Sequence, residues 1–180
     1  KGSADGGDNQ HIDLETHIQM HYLDRILVQA NKRLAYLTNN QYELRRDTEN
    51  LNKSSGNAKV GLELCVMDYL CGKVRSVKTL SGGETFLASL SLALGLSDEV
   101  QQNAGGIQLD AMYIDEGFGT LDEDSLQLAI KTLLDLTTST RQIGIISHVG
   151  ELEEKIPMQI RVSKNKSGNN VGSSITLINN

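Results

Sequence analysis

The sequence predicts an α/β fold in which a mostly parallel sheet with flanking helices adjoins a small antiparallel hairpin layer. Three observations predict it. A long helical periodicity runs near the N-terminus without Pro or Gly. A strand, helix, strand pattern occupies residues 111–148. Alternating runs bounded by turn residues lie between 42 and 78 and again near the C-terminus. At 180 residues the chain fits one domain, and 38% hydrophobic with 22% charged residues is ordinary for a soluble globular protein.

The first ten residues, KGSADGGDNQ, carry no large apolar side chain and read as a flexible lead-in. From 11 to 38 apolar residues recur at helical spacing through Ile18, Tyr22, Leu23, Ile26, Leu27, Ala30, Leu34 and Leu37, opposite a solvated face with Asp24, Arg25, Gln29, Asn31 and Lys32. TNNQ ends the helix. YELRRDTENL reads as a strand and SSGN as a turn. In KVGLELCVMDYLCGKVRSVKTL, the alternation of Leu62, Leu64 and Val66 and the tight CGK turn predict a hairpin.

After Leu80 the texture changes. TFLASLSLALGLSDEVQ is nearly uninterrupted Leu and Ala with Ser spacers, as expected of a helix buried on most of its surface. Met112, Tyr113 and Ile114 form a short apolar strand ending in two carboxylates. DEDSLQLAIKTLLDLTTST follows as an amphipathic helix with an acidic first turn, and RQIGIISH as a second apolar strand. Short joints make this a βαβ unit with adjacent parallel strands. The closing MQIRVSKNKSGNNVGSSITLI reads as a hairpin turning at KSGNN.

Composition excludes several functions. A net charge of −6 opposes coating of nucleic acid by bulk positive charge, and no Trp with two Phe leaves little for a base-stacking platform. Cys65 and Cys71, six apart with no His nearby, match no common zinc spacing and read as reduced thiols. His11, His17 and His21 lack a matching acidic residue and read as surface histidines. Lys73, Arg75 and Lys78 precede the Ser-Gly-Gly stretch; a solvated hairpin edge is favoured over a DNA-backbone contact, and Arg45 and Arg46 are read the same way. No run of 18 apolar residues and no signal peptide occur, which points to a soluble intracellular protein without a membrane partner.

The candidate chemistry gathers at strand ends. In open α/β sheets ligands bind beyond the carboxyl ends of the strands, where Asp115, Glu116 and His148 fall. A carboxylate there suits a divalent cation, a second one can poise water, and an imidazole can reach a phosphate. The bland alternative is that Asp115-Glu116 and Ser147-His148 merely end strands. At the start of the buried helix, Ser81, Gly82 and Gly83 offer free amides and a helix dipole to an anion. Ser81 and Glu84 also form a capping box, and both readings can hold together.

These stretches carry a family resemblance. LSGGE at 80–84, AMYIDE at 111–116, GTLD at 119–122 and IISH at 145–148 resemble, in order, the signature motif, Walker B, D-loop and switch histidine of ATP-binding-cassette ATPases. IDEGFGTLD, with RSVKTLSGGETFLASLSLALGLSDEVQ and GIISHVGELEEKIP, resembles the bacterial SbcC family of Rad50-like, SMC-type ATPases over about residues 11–177. The sequence has no G-x-x-x-x-G-K-[ST]. The resemblance therefore implies the C-terminal lobe of a split ABC-type (P-loop NTPase) head: lead-in 1–10, a helix at the base of a coiled coil at 11–38, and the lobe itself at 39–180, lacking Walker A.

What the resemblance implies for roles can be set on residues. Asp115 supports Mg2+, Glu116 polarises the attacking water and His148 contacts the γ-phosphate of ATP. Leu80, Ser81, Gly82, Gly83 and Glu84 act in trans on ATP held by another head, while Gly119, Thr120, Leu121 and Asp122 couple the two sites. The implied partners are the chain's own N-terminal Walker A lobe, a second head, the SbcD nuclease and double-stranded DNA ends, in the nucleoid-associated cytoplasm. The activity implied is ATP hydrolysis controlling DNA binding and nuclease access in repair and recombination. The alternatives are a transporter-type cassette half, disfavoured by the missing Pro after Asp115-Glu116, half of another SMC-like ATPase, and a non-hydrolysing dimerisation module, opposed by the intact Asp115, Glu116 and His148.

Overall fold

The structure, a computed structural model, describes residues 14–47, 61–103, 111–137, 142–165 and 172–179. The lead-in, His11, the SSGN turn and the KSGNN turn lie outside them.

Helix α1, Leu14–Leu37, buries Leu27, Ala30, Leu34 and Leu37, a stripe spaced by three and four residues. It ends where Asn39 and Asn40 take φ of 49° and 62°, a left-handed conformation that Asn tolerates better than most residues. Strand β1, Tyr42–Arg46, lies at the edge of a three-stranded antiparallel sheet with β2, Leu64–Asp68, and β3, Lys73–Ser76. The side-chain amide of Asn31 donates to Leu44 O and accepts from Leu44 N, each at 2.8 Å. These bonds give the outer side of β1 a partner on α1 and tie helix to sheet.

Helix α2, Gly82–Asn103, begins at the Gly pair and packs along α1. The helices approach so closely at Gly95 that a Cβ there would stand 2.7 Å from Ala30 N and 2.8 Å from Ile26 O. Arg25 pairs with the buried Glu99 at 2.7 Å, and Arg33 with Asp98 at 2.5 Å, across the same interface.

Strand β4, Ala111–Asp115, pairs in parallel with β5, Gln142–Ile146, and α3, Glu123–Thr137, makes the crossover between them. Helix α3 buries Leu126, Ala129, Ile130 and Leu133 in the same core as α1 and α2. The short helix α4, Gly150–Lys155, has no counterpart in the sequence reading; Leu152 is its buried anchor. Strands β6, Met158–Asn165, and β7, Gly172–Asn179, form the expected antiparallel hairpin.

Two features refine the expectation. Among the described residues the parallel component is the single pair β4–β5, while the other five strands pair antiparallel. Among the described residues the β4–β5 pair is covered on one face only: Met112, Ile114, Ile143 and Ile145 pack against the core, whereas Tyr113 is 77% and Ile146 58% exposed. A continuous apolar run suggests burial on both faces, but the described helices cover just one.

Candidate nucleotide-binding site

The register of β4 and β5 places Asp115 opposite Ile146, so the residues beyond each strand emerge side by side. Glu116 N donates to Ile146 O at 2.9 Å. Glu116 then adopts φ of 59°, unusual for a residue with a Cβ, and Gly117 follows at 97°. Two left-handed residues turn the chain sharply out of β4 into a 3-10 turn, Phe118–Thr120. Phe118 is buried and meets Phe86 of α2 edge to face, with ring centroids 4.8 Å apart. A Cβ on Gly117 would run into the Phe86 ring, so this position requires Gly for space as well as for φ.

Between these strand ends, Nδ1 of His148 lies 3.3 Å from Oε1 of Glu116. Both side chains are largely exposed and face solvent. Asp115 is exposed beside them at the end of β4. No group of three or more His, Cys, Asp or Glu able to hold a metal occurs among the described residues. A divalent cation here would use one or two carboxylate oxygens, which fits the manner in which Mg2+ binds through few protein ligands, waters and substrate phosphates.

The second cluster is the mouth of α2. Both capping-box bonds are present: Ser81 N donates to Glu84 Oε2 at 2.8 Å and Glu84 N donates to Ser81 Oγ at 3.3 Å. The first helical amide bond is Thr85 N to Ser81 O at 2.8 Å. The amides of Gly82 and Gly83 precede it in the first turn, where a helix offers them no carbonyl acceptor, and Ser81 is exposed. Leu80 is half-buried against the core and anchors the loop.

The glycines separate in role. A Cβ on Gly83 would stand 2.9 Å from Thr120 O, so the 3-10 turn after Glu116 sits directly on the α2 mouth. Gly82 has room for a side chain, with Thr120 Cβ 3.5 Å from a built Cβ. An internal packing contact therefore accounts for Gly83, alongside any anion. Gly119 and Leu121 flank this contact, Leu121 packing on the core. Asp122 caps α3, accepting from Ser125 N at 3.0 Å and from Ser125 Oγ at 2.9 Å. Those bonds hold its carboxyl below the usual Asp range.

Sequence reasoning missed the partners of Glu84. Tyr42 OH donates to Glu84 Oε1 at 2.6 Å, and Arg75 lies 3.8 Å from Glu84 Oε2 and 3.4 Å from Asp68 Oδ2. Arg75 is thus half-buried and ion-paired on the edge strand β3, while Lys73 and Lys78 are exposed, as expected of a solvated hairpin edge. Arg46 pairs with Asp24 at 2.5 Å, and Arg45 with Glu43 at 2.7 Å. Burial pushes Glu84 up, but the bonds from Tyr42 and Ser81 outweigh it and leave its carboxyl lowered. Burial, the bond to Glu84 and the nearby carboxylates push Tyr42 up to about 12.

The fold is that of solved SMC ATPase heads. A structure from work on the ATP-driven dimerization and DNA-stimulated activation of SMC ATPases superimposes with a TM-score of 0.65 at 16% identity, covering 91% of this chain and 89% of that one. The Smc head domain with an extended coiled coil from Pyrococcus furiosus gives 0.62 at 16% identity, covering 92% and 37%. Within that class the sequence is more specific. Residues 72–135 match the family described as SbcC/RAD50-like, Walker B motif. The chain is 49% identical over 162 residues to the SbcC component of the nuclease SbcCD from Staphylococcus epidermidis, covering 89% of this chain and 16% of the relative. It is 46% identical over 161 residues to the same component from Staphylococcus aureus, again covering 89% and 16%. Over the matched residues the chain is similar to these SbcC/RAD50-like proteins, and it spans about one sixth of those relatives' length.

Proposed function

We propose that the chain is the C-terminal lobe of the ATPase head of an SbcC-type protein and that it hydrolyses Mg·ATP with a second head. The Glu116–His148 pair at the carboxyl ends of two parallel strands is the observation that carries this reading. Asp115 would hold Mg2+, which supplies charge neutralisation at the β- and γ-phosphates when bound. The Glu116 carboxylate accepts a hydrogen bond from the attacking water, whose oxygen bonds to the γ-phosphorus as the bond to the ADP oxygen breaks. His148 orients Glu116 through Nδ1 and presents Nε2 toward the phosphate. Its ring donates at both nitrogens only as the imidazolium.

The Ser81 hydroxyl and the Gly82 and Gly83 amides serve a γ-phosphate bound to the Walker A lobe of the second head. Thr120 and Asp122 sit where a change at one site reaches the other, since Thr120 touches Gly83. The bare face of β4–β5 and the exposed Ile160, Val162, Ile175 and Leu177 of β6–β7 are apolar surface suited to the remainder of the head. An N-terminal Walker A lobe, a second head, an SbcD nuclease and duplex DNA ends are the partners of this reading. No helix among the described residues is long and apolar enough to cross a membrane, and a cytoplasmic, nucleoid-associated location is part of the proposal. Residues 11–38 serve as the coiled-coil base and 39–180 as the lobe.

The test mixes this chain with a separately made Walker A lobe and measures Mg·ATP hydrolysis with and without linear DNA. The expected result is hydrolysis by the mixture and very weak nucleotide binding by this chain alone. A folded mixture that does not hydrolyse ATP overturns the proposal.

A further inference from the structure

Four side chains from four elements meet under the N-terminus of α2: Tyr42 of β1, Asp68 of β2, Arg75 of β3 and Glu84. Tyr42 and Asp68 are cross-strand partners in the β1–β2 register. The Arg75 guanidinium lies 5.3 Å from the centre of the Tyr42 ring. Its Nη1 donates to Thr79 O at 3.0 Å and to Thr79 Oγ1 at 2.8 Å. Thr79 Oγ1 in turn donates to Ser76 O at 2.7 Å, which cinches the 3-10 turn Val77–Thr79. Nη2 faces Asp68 and Glu84. One guanidinium therefore grips the residue two before Ser81 and faces the residue three after it.

The Glu84 carboxylate has both oxygens engaged, Oε1 by Tyr42 and Oε2 by Ser81 N. A solvent-exposed capping-box Glu samples several rotamers; this one is restrained by a buried phenol. With the loop held on both flanks, the exposed Ser81 hydroxyl and the Gly82 amide face outward in one arrangement.

We infer that Tyr42 and Arg75 are positioning residues for the Ser81–Gly83 loop, setting its readiness for a phosphate on a second head from the antiparallel sheet below it. This rests on the trans-phosphate reading above. The pair acts through Glu84 and Thr79 and touches no nucleotide. It makes the sheet at the base of α1 a structural determinant of head dimerisation.

The test uses the full-length protein with Tyr42→Phe, Arg75→Ala, Arg75→Lys and the double variant. Three readouts are taken: the head concentration giving half-maximal ATP hydrolysis, the affinity of monomeric heads for Mg·ATP, and the melting temperature. Arg75→Ala is expected to raise the half-maximal concentration about tenfold or more, and Tyr42→Phe about threefold to tenfold, as for lost charge-assisted hydrogen bonds. Monomer affinity for Mg·ATP stays unchanged. The double variant loses less than the product of the single losses, because both act on Glu84. Arg75→Lys recovers only part, lacking the fork that reaches several acceptors.

Gly82→Asp is the control for the underlying reading, placing negative charge where the phosphate is proposed to lie. If Gly82→Asp abolishes hydrolysis while Tyr42→Phe and Arg75→Ala lower only the melting temperature, the positioning role is overturned and the trans-phosphate reading stands. If Gly82→Asp leaves hydrolysis intact, both are overturned.

Discussion

Nδ1 of His148 lies 3.3 Å from Oε1 of Glu116, although 32 residues separate them in the chain. Parallel pairing of β4 with β5 brings the two side chains together, and the Glu116 N to Ile146 O bond holds the turn that aims the carboxylate. Replacing Glu116 with Gln keeps the shape and removes the charge that would polarise water. We expect kcat for ATP to fall about 10²–10⁴-fold with ATP binding preserved, the range for a lost general base. An ATP-bound dimer should accumulate on a sizing column. Free turnover by Glu116→Gln would refute the assignment.

Gly82 and Gly83 should respond differently to substitution. Gly83→Ala brings a Cβ to 2.9 Å from Thr120 O and must displace the turn after Glu116. Its expected cost is about 1–3 kcal/mol of stability, as for other overpacked sites. Gly82→Ala meets only ordinary contacts, and Ala is the better helix former. Chemical denaturation of both variants checks the contrast; equal losses would contradict the packing account of Gly83.

Ser91 is fully buried in α2 and its hydroxyl has no hydrogen-bond partner. Ser91→Ala removes an uncompensated polar group, and we expect stability to hold or to rise by about 1 kcal/mol. Leu94, one turn further and nearly as buried, should lose about 2–5 kcal/mol on truncation to Ala. A thermal melt distinguishes them, and a clear loss for Ser91→Ala would mean that the hydroxyl is satisfied.

The Asp122 cap predicts an acid response. Its carboxyl is held below the usual value by the bonds from Ser125, so the folded state favours the charged form. The stabilisation is present above the unfolded value of 3.8 and is lost as pH falls through the lower folded value. Asp122→Ala should cost about 1 kcal/mol at neutral pH, the usual worth of an N-cap. Asp122→Asn should keep most of the cap and flatten the dependence below pH 3.8. An unchanged acid profile in Asp122→Asn would remove the cap from the explanation.

Tyr42 predicts the opposite limb. Raised from 10.0 to about 12, the phenol stays protonated in the folded state longer than in the unfolded one. Its stabilisation is complete below pH 10.0 and is lost as pH rises through about 12. Ultraviolet titration should show one tyrosine ionising late, and Tyr42→Phe should abolish that step. A titration in which all tyrosines ionise near the ordinary value would show that the bond to Glu84 is not maintained.

Much of the fold was legible because its signals are local. The helical stripe of α1, the capping box at Ser81 and Glu84, the acidic first turn of α3 and the alternation in β2 each need only neighbours within a few residues. The same holds for the hairpin β6–β7. Helix α4 escaped because six residues with one buried Leu carry too short a period to register.

The residue types at the candidate site were legible for the same reason, since each motif is a short run of chain. What sequence by itself determined is which residues stand at strand and helix ends, and hence which are free to meet a ligand. The tertiary structure alone decided which of them meet. Strand register set Glu116 beside His148, the left-handed pair at Glu116 and Gly117 folded Thr120 onto Gly83, and antiparallel pairing placed Tyr42, Asp68 and Arg75 under Glu84. Such contacts join residues tens of positions apart, where side-chain spacing along the chain carries no information about distance in space.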